Sequence, residues 1–255
     1  IAAGGYGLAY GVVAYSEFYD AVVTNSGSIT ATSTVFDSAV GVAASGGKYA
    51  EVTNTETGTI EVTASGDSKY SSAIGIIANG YYGATVDNAG SITATANGGA
   101  KYAAGIVANG YYGASVTNSG SITTEGKYSV GIVSGSIDGL ASAVNTETGS
   151  IDATGLTAVG ISASGYAASV SNAGGITVHD SAFGAGVVAS GYAYATVTNT
   201  ETGHIDVTSY DSAVGIAVDS DNFASAYNYG DITVLAYGPG ADAVGIDAVS
   251  YGSAY

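Results

Sequence analysis

Asp219 and Asp221 form the one close Asp-x-Asp pair in the sequence, with Asp211 a short way upstream. Carboxylates are hard oxygen donors of the kind that Ca²⁺ gathers in sets of six to eight. Asp219 and Asp221, joined by Asp211 or by a turn carbonyl, are therefore the candidate cation site. The plainer reading is a solvated turn, and no Gly-Gly-x-Gly-x-Asp calcium-roll repeat is present. Other chemistry is scarce. Carboxylates that cleave polysaccharides converge on the substrate, usually with Arg or Lys beside them to stabilise developing charge. The chain has no Arg, and its four lysines (Lys48, Lys69, Lys101 and Lys127) read as equivalent exposed turns. His179 and His204 read as outward-facing, without a triad around them. No Gly-x-Gly-x-x-Gly opens a helix and no Walker pattern occurs. These residues point away from an enzyme and toward no cofactor, with Ca²⁺ the one cation in view.

Tyrosine is the individual feature. There are 21 in 255 residues, and Tyr81-Tyr82 and Tyr111-Tyr112 recur in identical Asn-Gly-Tyr-Tyr-Gly-Ala segments, echoed by Tyr166 and Tyr192. Stacked along one edge, these six would form an aromatic strip. Such a strip covers turn backbone, or offers an amphipathic surface to glycans, neighbouring fibres or other material. The net charge of −17, from 21 acidic and 4 basic residues, repels nucleic acid and anionic membranes. No apolar run is long enough for a membrane helix. The absence of Cys excludes a disulfide scaffold and thiolate metal sites.

The elements that must position these residues come from an internal repeat. A small residue, a spacer, Gly and then Ile or Val recurs around Gly11, Gly41, Gly75, Gly105, Gly131, Gly160, Gly186, Gly215 and Gly245, at spacings of 26 to 34 residues. An Asn follows the first eight glycines, at Asn25, Asn54, Asn88, Asn118, Asn145, Asn172, Asn199 and Asn228. Five read Asn-x-Gly-x-Ile and three read Asn-Thr-Glu-Thr-Gly-x-Ile, the extra residues falling in a turn. Each repeat thus carries three short β-like runs: one at the Gly-Ile pair, one leading to the Asn and one starting at the Ile. Two of them alternate with period two. Three such strands cannot bury themselves alone, so copies must stack, each strand pairing with its equivalent one coil on. The prediction is an all-β, parallel β-solenoid of about nine coils, one repeat domain over 1–255, forming a rod about 40 Å long at ordinary strand spacing.

Stacking predicts columns. Ile29, Ile60, Ile92, Ile122, Ile151, Ile176, Ile205 and Ile232 form one inward column, and Val23, Val52, Val86, Val116, Ala143, Val170, Val197 and Ala226 another. The eight Asn residues form an amide ladder. The repeated glycines serve either a positive φ or close approach of coils. Outward of the Ile column run Thr30, Glu61, Thr93, Thr123, Asp152, Thr177, Asp206 and Thr233. Threonine ladders order water on ice-binding solenoids, but here acidic residues interrupt the column. Ile1 takes the register of the column isoleucines and Tyr255 that of Tyr227, so the chain opens and closes at nearly one point of the repeat, without caps. The expectation is an excised stretch of a longer repeat protein, or a subunit that stacks end to end through exposed strand edges.

The phrases Ala104-Gly105-Ile106-Val107-Ala108 with Val116 through Thr124, and Ala158-Val159-Gly160-Ile161-Ser162-Ala163 with Val170 through Val178, resemble the passenger repeats of large bacterial autotransporters and related surface adhesins. The likeness covers essentially the whole chain. It implies a right-handed β-helix, secretion by a Gram-negative bacterium, surface display, and a role in adhesion or biofilm matrix. Two features depart from that pattern: no outer-membrane barrel is present, and tyrosine is abundant for a stalk. The functional expectation is an extracellular structural or adhesive solenoid whose partner is itself, with ice or polysaccharide binding as the alternative.

Overall fold

No stretch of the repeat shows a helical period, and among the described residues the computed structural model contains no helix. About 77% of the chain is strand, wound into a parallel β-solenoid of about eight turns. The structure describes residues 1–5, 7–34, 38–66, 71–98 and 102–254. Lys69, Lys101 and Tyr255, for which the sequence gives expectations, lie outside the described residues.

Three parallel sheets run the length of the rod. The Ile sheet contains Ala2–Gly5, Ser28–Ser33, Thr59–Ala64 and their successors to Asp231–Ala236. The Gly sheet runs from Ala9–Ser16 to Asp242–Ser250, and the Asn sheet from Ala21–Asn25 to Ser253–Ala254. Within one coil the chain visits them in that order. In the middle of the rod the strands do not break at the corners. Ser121–Ser136, Ser150–Asn172 and Gly175–Asn199 are each continuous around one or two bends.

The pairing register reproduces the expected columns. Ile29 pairs Ile60, which pairs Ile92, and the series continues to Ile232. Val23 through Ala226 align in the same way. Because side chains alternate along a strand, the insertion of a turn residue costs nothing, whereas a slip of one residue within a strand would turn every isoleucine outward. A further inward column, Ile76, Ile106, Ile132, Ile161, Val187 and Ile216, follows the repeated glycines and is fully buried. The core is therefore thin, filled by Ala, Val and Ile.

Between the two alternatives for the repeated glycines, close approach decides. Among the described residues only Gly98 and Gly240 have a positive φ. At Gly105 an added Cβ would overlap the Ile122 methyl and stand 2.6 Å from the Gly131 carbonyl oxygen. The Gly41, Gly75, Gly131, Gly160, Gly186 and Gly215 positions repeat this relationship with the isoleucine of the following coil. At each of these sites the glycine makes the cavity into which the next coil's isoleucine packs.

Candidate functional site

The asparagines form one unbroken chain of amides. Each Nδ2 donates to the Oδ1 of the next coil's Asn, from Asn25 to Asn54 and onward to Asn228, at 2.8–2.9 Å in all seven steps. The other amide proton is used locally. Asn54 donates to the Gly58 carbonyl at 3.3 Å, Asn88 to Gly90 at 3.3 Å and Asn118 to Gly120 at 3.2 Å. This explains why the turn can be Asn-x-Gly or Asn-Thr-Glu-Thr-Gly: in both, the glycine carbonyl returns to the same amide. In the longer version the second threonine hydroxyl also donates to the preceding coil, as Thr57 does to the Ser26 carbonyl at 2.9 Å. Asn54 through Asn199 are buried, which leaves their amides no room for a ligand.

The proposed cation trio comes apart. Asp211 precedes the strand Ser212–Ser220, and Asp219 and Asp221 stand at its far end. Eight residues of extended chain span about 26 Å, too far for Asp211 to share an ion with the other two. All three carboxylates face solvent, and no group of three His, Asp or Glu among the described residues is arranged to hold a metal. His204 Nε2 lies 2.8 Å from Asp206 Oδ2 and its Nδ1 lies 3.9 Å from Asp231 Oδ2, all at the surface. The lysines are not equivalent either: Lys48 stands between the Gly and Asn sheets, over Tyr19 at 5.6 Å, and Lys127 between the Ile and Gly sheets.

The tyrosines divide into separate groups. Tyr81 and Tyr111 lie parallel, centroids 5.3 Å apart and planes 17° from each other, and Tyr82 and Tyr112 repeat this at 6.0 Å and 16°. Tyr49 joins Tyr82 at 6.0 Å. Tyr166 and Tyr192 form a pair of their own at 5.7 Å. One continuous strip is thus not formed, because Ile137 and Asp138 occupy the turn of the coil between the two groups. Tightness of the turn sets the cluster. An added Cβ at Gly80 or Gly110 would overlap the carbonyl of Gly83 or Gly113, so the chain folds back on itself and carries both rings outward. The Tyr111 pKa is raised, first by donation of its hydroxyl to Asp138 and then by that carboxylate's charge. That of Tyr112 is raised by its hydrogen bond to Tyr81.

Beside Tyr81 and Tyr111 runs an open groove of 630 Å³ across several coils. Its floor holds Asn79 and Asn109, a second and exposed amide pair in which Asn109 Nδ2 donates to Asn79 Oδ1 at 3.1 Å. This pair was not singled out from sequence. The signal was nonetheless there, in the asparagine that opens both copies of Asn-Gly-Tyr-Tyr-Gly-Ala. Comparison with known proteins returned no matching family model, no matching curated relative and no matching solved structure. The functional reading therefore rests on the residues themselves. Among the described residues no helix is long and apolar enough to cross a membrane.

Proposed function

We propose that the chain is an extracellular structural or adhesive rod, a fibre subunit or stalk segment of a bacterial surface or matrix protein. The observation that carries this reading is repetition without interruption. One amide ladder and its flanking apolar columns hold one register through every coil. A rod of this kind works through length, stiffness and surface pattern. Each coil donates its ladder amide to the next and accepts from the last, so its two edges are complementary and the natural partner is another coil. Ile1 lies in register over Ile29, its carbonyl accepting from the Thr30 amide at 2.8 Å. A second copy stacked end to end would continue all three sheets. The location outside a Gram-negative cell follows from the resemblance to surface adhesins and belongs to the same proposal, as do the absence of catalysis and of any resident cofactor.

Electron microscopy of the purified chain over a range of concentration tests self-stacking. Fibres support it, and short rods at every concentration leave the stalk reading without self-assembly. The ice-binding alternative is weakened by the register, which sets Glu61, Asp152 and Asp206 into the outward threonine column. Polysaccharide binding finds support in one place, the groove beside Tyr81 and Tyr111.

A further inference from the structure

That groove is unlike the rest of the surface. Around it the protein is strongly acidic, yet none of the residues lining it carries a charge. Gly135 lies in register with Asn109 and contributes no side chain to the groove. At Gly135 an added Cβ would stand 2.8 Å from Asn109 Oδ1, so the glycine keeps a shelf open beside that amide. Asn109 gives one proton to Asn79; the Asn109 oxygen and the Asn79 Nδ2 protons have no protein partner among the described residues. One wall is apolar, formed by Tyr81, Tyr111 and Ile137.

We propose that this groove binds a neutral polysaccharide strand laid along the solenoid axis, with sugar rings against Tyr81 and Tyr111 and hydroxyls on Asn79 and Asn109. Three features select that occupant. An aromatic wall beside free amides matches a sugar, which has an apolar C–H face and a rim of hydroxyls. The amides repeat at the coil spacing of about 4.8 Å, close to the advance of one pyranose in an extended chain. The absence of a cation in the groove, within a chain of net charge −17, rejects uronates and sulfated glycans. The site acts on any one rod and does not depend on whether rods polymerise.

The test is calorimetric titration of the purified chain with cellohexaose, chitohexaose, mannohexaose and oligogalacturonate. At least one neutral hexaose should bind, and oligogalacturonate should not. Tyr81→Ala/Tyr111→Ala should weaken binding about tenfold or more, the loss expected from two ordinary aromatic contacts. Gly135→Asn, which fills the shelf, should weaken it without touching a tyrosine. Tyr210→Ala, in a different corner of the rod beside Tyr237, should bind as the parent does. Circular dichroism of each variant confirms that the solenoid is intact. Failure of all three neutral hexaoses, preference for oligogalacturonate, or unchanged binding by the double tyrosine variant would each overturn the proposal. So would sedimentation showing that the parent self-associates through this face, with the association lost in the double variant.

Discussion

Gly105 faces the Cγ2 methyl of Ile122 so closely that no side chain fits between them, and the carbonyl of Gly131 closes the remaining space. A substitution here cannot be relieved by a rotamer change, because the obstruction on one side is backbone. Gly105→Ala should destabilise the solenoid by about 1–3 kcal/mol or more, the range for overpacking a filled core. Gly175→Ala, mid-rod in the Ile sheet, is the control, since nothing lies within 4 Å of an added Cβ there. Urea unfolding of the two variants should differ clearly in midpoint, with Gly175→Ala close to the parent.

The amide ladder makes a positional prediction. Asn118 accepts from Asn88 and donates to Asn145, each at 2.8 Å, in a fully buried setting. Asn118→Ala strands a proton on one neighbour and an oxygen on the other, and unsatisfied buried polar groups cost about 1–3 kcal/mol apiece. Asn228→Ala, at an exposed position, strands a single proton of Asn199 and no oxygen. Amide hydrogen exchange should show the first variant opening around coils 88 to 145 and the second fraying only at the end. Equal effects would mean that the ladder is ornamental.

Asp180 gives the pH dependence. It is buried where the Ile sheet turns into the Gly sheet, in a column that elsewhere holds Gly126, Gly155 and Ser209. Its Oδ1 accepts from the Ser209 hydroxyl at 2.6 Å, while Oδ2 has no partner. Burial raises its pKa most; Asp211 adds to this, while Ser209, the Ala182 amide and His179 oppose it. The folded state thus holds this proton more tightly than the unfolded chain. Between the ordinary carboxylate pKa of about 4 and the raised folded value, the folded state binds more protons, so stability falls as pH rises. Asp180→Asn should remove that fall. Melting temperatures of the two proteins should diverge across this window, with the parent losing stability and the variant holding it.

Separation of the acidic trio predicts indifference to Ca²⁺. With Asp211 at the opposite end of a nine-residue strand from Asp219, millimolar Ca²⁺ or a chelator should leave the melting temperature unchanged. A Ca²⁺-dependent rise that Asp219→Asn and Asp211→Asn each abolish would contradict the geometry.

The columns were legible in the sequence because the glycine, the asparagine and the isoleucine recur in one order with one packing role each. Ile fills the glycine cavity, and Asn alone offers a donor to the next coil and an acceptor to the last. Turn length does not disturb them, so Ile60 and Ile92 align despite their different approach. What proximity in sequence could not give was the position of a turn relative to the coil. Asp211, Asp219 and Asp221 look adjacent but flank an extended strand. Tyr112 and Tyr166 look like members of one series, yet the coil between them places Ile137 and Asp138 in its turn. The amides of Asn79 and Asn109 escaped notice because the ladder asparagines carried the stronger period.

The central claim is that one coil's edge is complementary to any other's, and electron microscopy across concentration tests it most directly. The account predicts rods that lengthen into fibres with an axial repeat near ~43 Å, nine rungs at strand spacing. Rods that stay short and separate at every concentration would contradict end-to-end stacking of this chain.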